Sequence, residues 1–226
     1  MPHPDNSHAA DGDQHNDARL KKLRIVAMSV LAASSMWLAQ RIPPASATSS
    51  SQCTYTTQQG AQYHQLASDD AVSLAVPPSG PGYWITTSSG ETFTCNRPST
   101  WGSLVASPSP VVSTTSPNDG LLLATADGGV YAFGNAAYHG SASGMHLAKP
   151  VVGIATDPST GGYWLAAADG GVFSFDAPFY GSMGGRPLAA PIVGIAPTED
   201  GHGYRLVGAD GGIFDFGDAS FQGSAA

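Results

Sequence analysis

The sequence predicts an all-β fold in which four similar units form a small β-propeller-like repeat domain behind an N-terminal signal helix. Three observations support this prediction. Equivalent aspartates, Asp127, Asp169 and Asp210, advance by 42 and then 41 residues, which is the period of a propeller blade. Short apolar runs alternate with two-residue hairpin signals inside each period. The 28 glycines and 17 prolines among 226 residues are typical of a chain with many tight turns.

Composition narrows the classes of function. Hydrophobic residues make up 42% of the chain and charged residues only 12%, a balance that excludes a wholly disordered protein. The formal net charge is −8 and the isoelectric point is near 5.1. Because such a chain has no surplus of lysine and arginine to neutralise phosphates, nucleic-acid binding driven by the phosphate backbone is excluded as well.

Residues 1–47 have the pattern of a polar leader, a signal peptide and a cleavage site. Four cations between positions 19 and 24 precede an apolar run over residues 25–40, which is shorter than the roughly 20 residues of a membrane span. Ala45-Ser46-Ala47 then offers the small residues that export peptidases cleave after. We therefore expect an exported protein, extracellular or at the cell surface. The alternative is an uncleaved signal anchor, with residues 25–40 as the one contact with the membrane.

The chain has two cysteines, and both follow the predicted cleavage site. Cys53 lies in an N-terminal extension, residues 48–70, and Cys95 lies in the first repeat unit. An even number of cysteines in an exported protein predicts a disulfide, and closing this loop stabilises a fold by a few kcal/mol in the chain-entropy model. The stretch Thr54–Thr57 beside Cys53 could then add an outer or closing strand. A catalytic thiol is the alternative, but no histidine or asparagine partner stands at a suggestive spacing.

The repeat units span about residues 71–103, 110–141, 150–182 and 191–224. In the third unit, two apolar runs span Val151–Ala155 and Tyr163–Ala168. Asp169-Gly170 is a hairpin signal, and Val172–Phe175 has the alternating side-chain pattern of a strand. Phe179-Tyr180, before Gly181-Ser182, predicts a short fourth strand. About four strands in 41 residues correspond to a propeller blade, and an open β-hairpin solenoid is the alternative.

The motifs Gly-Tyr-Trp-Leu, Asp-Gly-Gly-Val-Phe-x-Phe, Phe-Tyr-Gly-Ser and Pro-Val-Val-Gly-Ile-Ala resemble the tandem Gly/aromatic repeats of exported actinobacterial proteins. The likeness covers about residues 71–226. It implies propeller-like blades, which in that group often stand beside cell-wall hydrolase or adhesion-type domains, and it implies no catalytic residue. The first unit departs from the pattern, because Ser89 replaces the aspartate and Cys95 replaces the second phenylalanine.

The recurring aspartates are interpreted as turn residues. Asp127, Asp169 and Asp210 each precede glycine in a tight hairpin, where a carboxylate bonds nearby backbone N–H groups. No metal and no cofactor is predicted, because no loop has calcium-site spacing and no histidines are spaced as ligands. No catalytic set is predicted either, since no G-x-S-x-G motif occurs and Glu91 and Glu199 are the only glutamates.

Aromatic residues are the best indication of a binding surface. Many of them recur at set places in the units, and Trp101 takes the place that His139, Tyr180 and Gln222 hold in later units. Exposed rings with polar neighbours would suit sugars or an extended peptide. The alternative is that aromatics fill the seams between units. The candidate binding residues are Trp101, Tyr138, His139, Phe179, Tyr180 and Phe221.

Three functional hypotheses follow. The favoured one is an exported, non-enzymatic repeat protein that recognises cell-wall carbohydrate or a surface protein. The second is an extracellular hydrolase or lyase whose acids come from different units. The third is a structural module whose open edge assembles with other repeat chains, including copies of itself. The sequence leaves enzymatic activity undecided and favours a binding protein.

Overall fold

The computed structural model describes residues 71–96, 103–104 and 107–226 in full and the backbone of residues 54–57 and 60–63. The described part is all-β, as predicted. Its strands in chain order are β1 (Thr54–Thr57), β2 (Gly60–Tyr63), β3 (Ala71–Ala75), β4 (Tyr83–Thr87), β5 (Thr92–Cys95), β6 (Val111–Thr115), β7 (Leu121–Thr125), β8 (Val130–Phe133), β9 (Val151–Thr156), β10 (Tyr163–Ala167), β11 (Val172–Phe175), β12 (Ile192–Pro197), β13 (Gly203–Gly208) and β14 (Ile213–Gly217).

The strands form four antiparallel sheets, one in each repeat unit. Unit 1 has five strands in the order β2-β1-β5-β4-β3, and units 2, 3 and 4 have three strands each, with β7, β10 and β13 in the middle. The predicted outer strand at Thr54–Thr57 is present, because β1 pairs with β5 through Thr54 opposite Thr94 and Tyr55 opposite Phe93.

The predicted fourth strand is wrong in units 2, 3 and 4. Among the described residues, Tyr138-His139, Phe179-Tyr180 and Phe221-Gln222 join no sheet; the equivalent place in unit 1, at Trp101, lies outside them. The physical reason is that the backbone of this return segment bonds to other partners. Tyr180 donates its N–H to the hydroxyl of Tyr204 in the next unit at 3.3 Å, and Met183 donates its N–H to the Gly170 carbonyl in the hairpin of its own unit at 2.9 Å. These polar groups are therefore satisfied without a ladder.

The four units repeat backbone conformation as well as sequence. The residue at the end of the third strand has a positive φ in every unit, at Asn96 (54°), Gly134 (63°), Asp176 (51°) and Gly217 (69°). Asparagine, aspartate and glycine are the residues that adopt this left-handed conformation most readily. Unit 1 keeps the position even though its sequence has diverged, so it is a true fourth copy.

A bulge interrupts the first strand of every unit at a valine. The ladder skips Val72, Val112, Val152 and Val193, which stand at equivalent places. A bulge bends its strand and strengthens the local twist. The same distortion in all four first strands gives each unit the same shape, so one unit can pack on the next in the same way each time.

The units pack in series through their first strands. β3 lies beside β6, β6 beside β9, and β9 beside β12. Among the described strands, β3 and β12 have no comparable packing against each other. Unit 1 and unit 4 therefore each present one side of their first strand to no neighbouring unit of the same chain.

Side chains alternate between the two sides of each middle strand, so every unit has two packing faces. We call the side toward the next unit the forward face and the other side the backward face. Leu121 and Leu123 point backward and pack with Trp84 of unit 1, whereas Leu122 points forward and packs with Tyr163 and Leu165 of unit 3. All six of these residues are buried, so the core consists of the seams between units.

Several predictions concern residues outside the described part of the chain. The signal peptide, the cleavage site and the alternative anchor at residues 25–40 all lie there, as does Cys53. Cys95 is buried and is not a free thiol; its pairing with Cys53 stays a prediction. Among the described residues, no helix is long and apolar enough to cross a membrane.

Candidate functional site

In units 3 and 4, a tyrosine near the start of the middle strand fastens the unit to the one before it. The Tyr163 hydroxyl donates to the Gly140 carbonyl at 2.5 Å and accepts the His139 N–H at 3.1 Å. Tyr204 repeats the pattern one unit later, donating to the Gly181 carbonyl at 2.6 Å. We call this pair of hydrogen bonds the tyrosine clasp. It holds the return segment of one unit against the backward face of the next.

Burial changes the acidity of the clasp tyrosines. It raises the pKa of both Tyr163 and Tyr204 above 10, and the backbone N–H groups that donate to their oxygens offset part of that rise. Because the folded-state pKa is raised, both groups stabilise the fold below pH 10, and that contribution is lost as pH rises through the folded value.

We therefore expect the free energy of unfolding to fall as pH is raised above 10. Native Tyr163 and Tyr204 keep their protons there while unfolded tyrosines lose theirs. Urea denaturation at a series of pH values, together with ultraviolet titration of tyrosinate, measures both effects. The double variant Tyr163→Phe/Tyr204→Phe should flatten this alkaline decline and cost about 1–3 kcal/mol of stability at pH 7, since two buried carbonyls lose a donor. An unchanged alkaline slope would contradict the assignment.

The candidate binding residues fall into two groups. Tyr138, Phe179 and Phe221 occupy the same place in units 2, 3 and 4 and are 58%, 59% and 63% exposed. They form the exposed aromatic row, with one ring in each of units 2, 3 and 4. Trp101, the sixth candidate, lies outside the described residues.

His139 and Tyr180 follow the row residues and are only half-buried. His139 lies edge-on to Tyr163, with 5.8 Å between ring centroids, and places Nδ1 3.2 Å from the exposed Asp176 carboxylate. Tyr180 donates its hydroxyl to the Gly201 carbonyl at 3.0 Å and packs on Trp164. Burial and the nearby carboxylates of Asp157, Asp218 and Asp200 raise the pKa of the Tyr180 hydroxyl. His139 and Tyr180 thus contact the neighbouring units, and they place polar groups beside the exposed rings.

The aromatic residues on the strands fill the seams instead. Trp164 is fully buried on the forward face of unit 3, with its ring centroid 5.2 Å from that of Tyr204, and its Nε1 donates to the Pro178 carbonyl at 2.7 Å. The seam interpretation therefore holds for the aromatics on the strands. Strand aromatics hold the units together, while the row residues face solvent.

Sequence reasoning missed the part played by Arg205. It occupies the position of Trp164 one unit later and donates to the Ser220 carbonyl at 3.3 Å, as Trp164 does to the equivalent Pro178 carbonyl. It also pairs with Asp215, with 2.9 Å between Nε and the carboxylate oxygen. The repeat alignment contains the signal that could have shown this, since Arg205 is the one charged residue in that column.

The recurring aspartates organise their hairpins. Asp127, Asp169 and Asp210 each accept the N–H of the glycine two residues later, at 3.0–3.2 Å. The intervening glycines have φ values of 80–85°, which a residue with a side chain adopts only under strain. The structure brings no two of these carboxylates into one cluster of metal-ligating groups among the described residues.

One group of potential ligands lies elsewhere, at the outer loops of unit 4. Asp200, His202 and Asp218 place one ligand atom each within 4.8 Å of the others, and all three are exposed. The backbone N–H of His202, followed by the Thr198 hydroxyl and the His202 ring, lowers the pKa of Asp200. Three ligands fall short of the six or more oxygens that calcium takes. The hydrogen bonds show that Asp200 orders its own loop.

A surface depression of about 380 Å³ lies beside the hairpin of unit 2, and Asp127, His146 and Lys149 are its charged or titratable lining residues. The Asp127 carboxylate already accepts hydrogen bonds from Thr125 and Gly129. This arrangement is that of a turn, and it supplies no nucleophile with an adjacent base.

No protein-family model matches the chain, and no curated protein matches it. Solved structures similar to it include the computationally designed protein Ika4, with a TM-score of 0.44 and 14% identity over 69% of this chain and 94% of that one. Another is human WBSCR16, with a TM-score of 0.42 and 13% identity over 71% of this chain. The chain spans 51% of human WBSCR16. We draw nothing about function from either likeness.

Proposed function

We propose that this chain is an exported, non-enzymatic recognition protein whose propeller-like array of units binds a cell-wall carbohydrate or a surface protein through the exposed aromatic row. The observation that supports the proposal is the exposure of Tyr138, Phe179 and Phe221 at one equivalent position per unit. Large apolar side chains that remain exposed on a folded protein are typical of interaction sites.

The chemistry around the row suits a sugar polymer. A flat ring presents an apolar face to the C–H groups of a sugar, and polar neighbours bind its hydroxyls. His139, which follows Tyr138, places Nδ1 3.2 Å from the Asp176 carboxylate, and Gln222 follows Phe221. The ring repeats in units 2, 3 and 4 along the array, so a polymer of repeating sugars could contact several rings at once and gain from multivalency.

The experiment is a binding assay of the purified protein with isolated bacterial cell walls and a panel of polysaccharides, with and without calcium. We expect saturable binding. Each of Tyr138→Ala, Phe179→Ala and Phe221→Ala should weaken it by about 2–10-fold, as expected for the loss of about 0.5–1.5 kcal/mol of ring contact. The triple variant should abolish it.

The matched control is Met145→Ala, which removes another exposed apolar side chain outside the row and should leave binding unchanged. Failure of the protein to bind any wall or polysaccharide would contradict the carbohydrate part of the proposal, and unchanged binding by the triple variant would contradict the row. Mass spectrometry of the N-terminus of protein recovered from the culture medium tests export separately. A start at Thr48 is the expected result.

A further inference from the structure

Three kinds of contact recur at the junctions between units, the first at all three junctions and the other two at two of them each. The first joins backbones, since Val111, Val151 and Ile192 donate their N–H groups to the carbonyls of Ser88, Ala126 and Ala168 at 2.8–2.9 Å. These donors stand at the start of each first strand, and the acceptors lie in the preceding unit's hairpin. Equivalent atoms are therefore joined at all three junctions within the chain.

The second contact lies between the first strands. In one unit the contact comes from the residue directly after the bulge. In the next unit it comes from the residue two positions after the bulge. Ser73 accepts hydrogen bonds from Thr114 at 3.0 and 2.8 Å, and a side chain placed on Gly153 would meet Ile195 at 3.1 Å. The third contact is the tyrosine clasp between units 2 and 3 and between units 3 and 4.

Unit 4 presents the forward half of all three contacts. Ala209 is the equivalent of Ala126 and Ala168, and Gly194 is the equivalent of Ser73 and Gly153. Gly223 matches the clasp glycines in sequence and in backbone, with a φ of 117° against 127° at Gly140 and 131° at Gly181. A side chain placed on Gly223 would meet nothing within 4 Å, whereas at Gly181 it would meet Phe216 at 2.8 Å.

Unit 1 presents the backward half. Ala71 is the equivalent of Val111 and Val151, and it is exposed. Leu74 is the equivalent of Ile154, yet it is 56% exposed where Ile154 is 5% exposed. Tyr83 is the equivalent of the clasp tyrosines and is exposed, whereas Tyr163 is fully buried.

We propose that two copies of this chain associate head to tail, with the forward face of unit 4 in one copy packed on the backward face of unit 1 in the other. The partner is a second copy because the two halves match the contacts that the chain already makes at the junctions between its own units. One chain does not join its own ends, since β3 and β12 have no comparable packing.

Arg205 suits this intermolecular joint. It replaces Trp164, which packs on Tyr204, so in the assembly Arg205 faces Tyr83 of the second copy. A guanidinium against a tyrosine ring is a favourable cation–π arrangement, and the Arg205–Asp215 pair keeps the face compatible with water when the copies separate. Because the two associating faces differ, successive copies form a closed ring if the rotation from one copy to the next returns to the first copy. They form an open filament if it does not.

Two measurements on the purified protein test the association. Sedimentation equilibrium should show a mass that rises with concentration above that of one chain. Leu74→Asp should weaken association at least tenfold, because it places an unpaired carboxylate in the joint. Met145→Asp is the matched control, since Met145 is similarly exposed outside the joint and its substitution should change nothing. A single-chain mass at all concentrations would overturn the proposal, as would equal effects of both variants.

Cysteine cross-linking tests the geometry. A mixture of a Leu74→Cys chain with a Gly194→Cys chain should form a covalent dimer on mild oxidation, whereas neither variant alone should. Cross-linking of either variant with itself would show a different interface. A rapid internal link in the Leu74→Cys/Gly194→Cys chain at high dilution would show that one chain closes on itself. Either result would overturn the proposal, and neither depends on the exposed aromatic row.

Discussion

Replacing Trp164 by alanine should cost the protein about 3–5 kcal/mol of stability, the range measured for truncating a large buried aromatic side chain. The indole is fully buried, packs on Tyr204 and Tyr180, and donates to the Pro178 carbonyl. Removal leaves a cavity in the seam between units 3 and 4 and an acceptor without its donor. Urea denaturation followed by circular dichroism measures the loss. Because a domain is stable by only about 5–15 kcal/mol, the variant should be close to unfolding at 37 °C.

Phe179→Ala is the matched control for this prediction, since it truncates an aromatic ring of the same unit that faces solvent. Its effect on stability should stay within about 0.5 kcal/mol. A comparable loss in both variants would mean that the row residues are structural, and it would count against the proposed binding surface. A small loss in Trp164→Ala would mean that the seams contribute little and that each unit is stable by itself.

The features that the sequence predicted well are local in origin. The Asp-Gly hairpins follow from the side chains of Asp127, Asp169 and Asp210, which bond the backbone two residues away. Strand positions follow from alternation and from the 41–42-residue period. Even unit 1, where Ser89 and Cys95 break the pattern, keeps the turn at Gly90 with a φ of 93°. Short-range chemistry therefore specified the units one at a time.

The features that sequence reasoning missed depend on the neighbouring unit. Phe179-Tyr180 has the composition of a strand, but its backbone bonds to Tyr204, which lies 24 residues away. Likewise, the exposure of Phe179 and the half-burial of Tyr180 depend on where the next unit lies. Arg205 fills a place that other units give to tryptophan or leucine. No pattern within one unit identifies contacts that arise only when two units meet.

Substitution of a clasp glycine tests how closely two units pack together. Gly181→Ala should cost about 2–5 kcal/mol, because the φ of 131° is a conformation that alanine adopts only under strain, and because the new methyl group would stand 2.8 Å from the Phe216 ring. Thermal and urea denaturation measure the loss. To relieve this contact, Phe216 would have to change its rotamer, or the return segment would have to move away from unit 4.

Gly223→Ala separates the two causes of that loss. At its φ of 117°, alanine would be under a backbone strain similar to that at Gly181, but no atom lies within 4 Å of the added methyl group. At concentrations where the protein is a single chain, Gly223→Ala should therefore cost less than Gly181→Ala, and the difference, about 1–3 kcal/mol, reports the packing of one unit on the next. Equal losses would assign the whole effect to backbone strain. They would also mean that Phe216 yields easily, so the seams would be less closely packed than the burial of Trp164 and Tyr204 indicates.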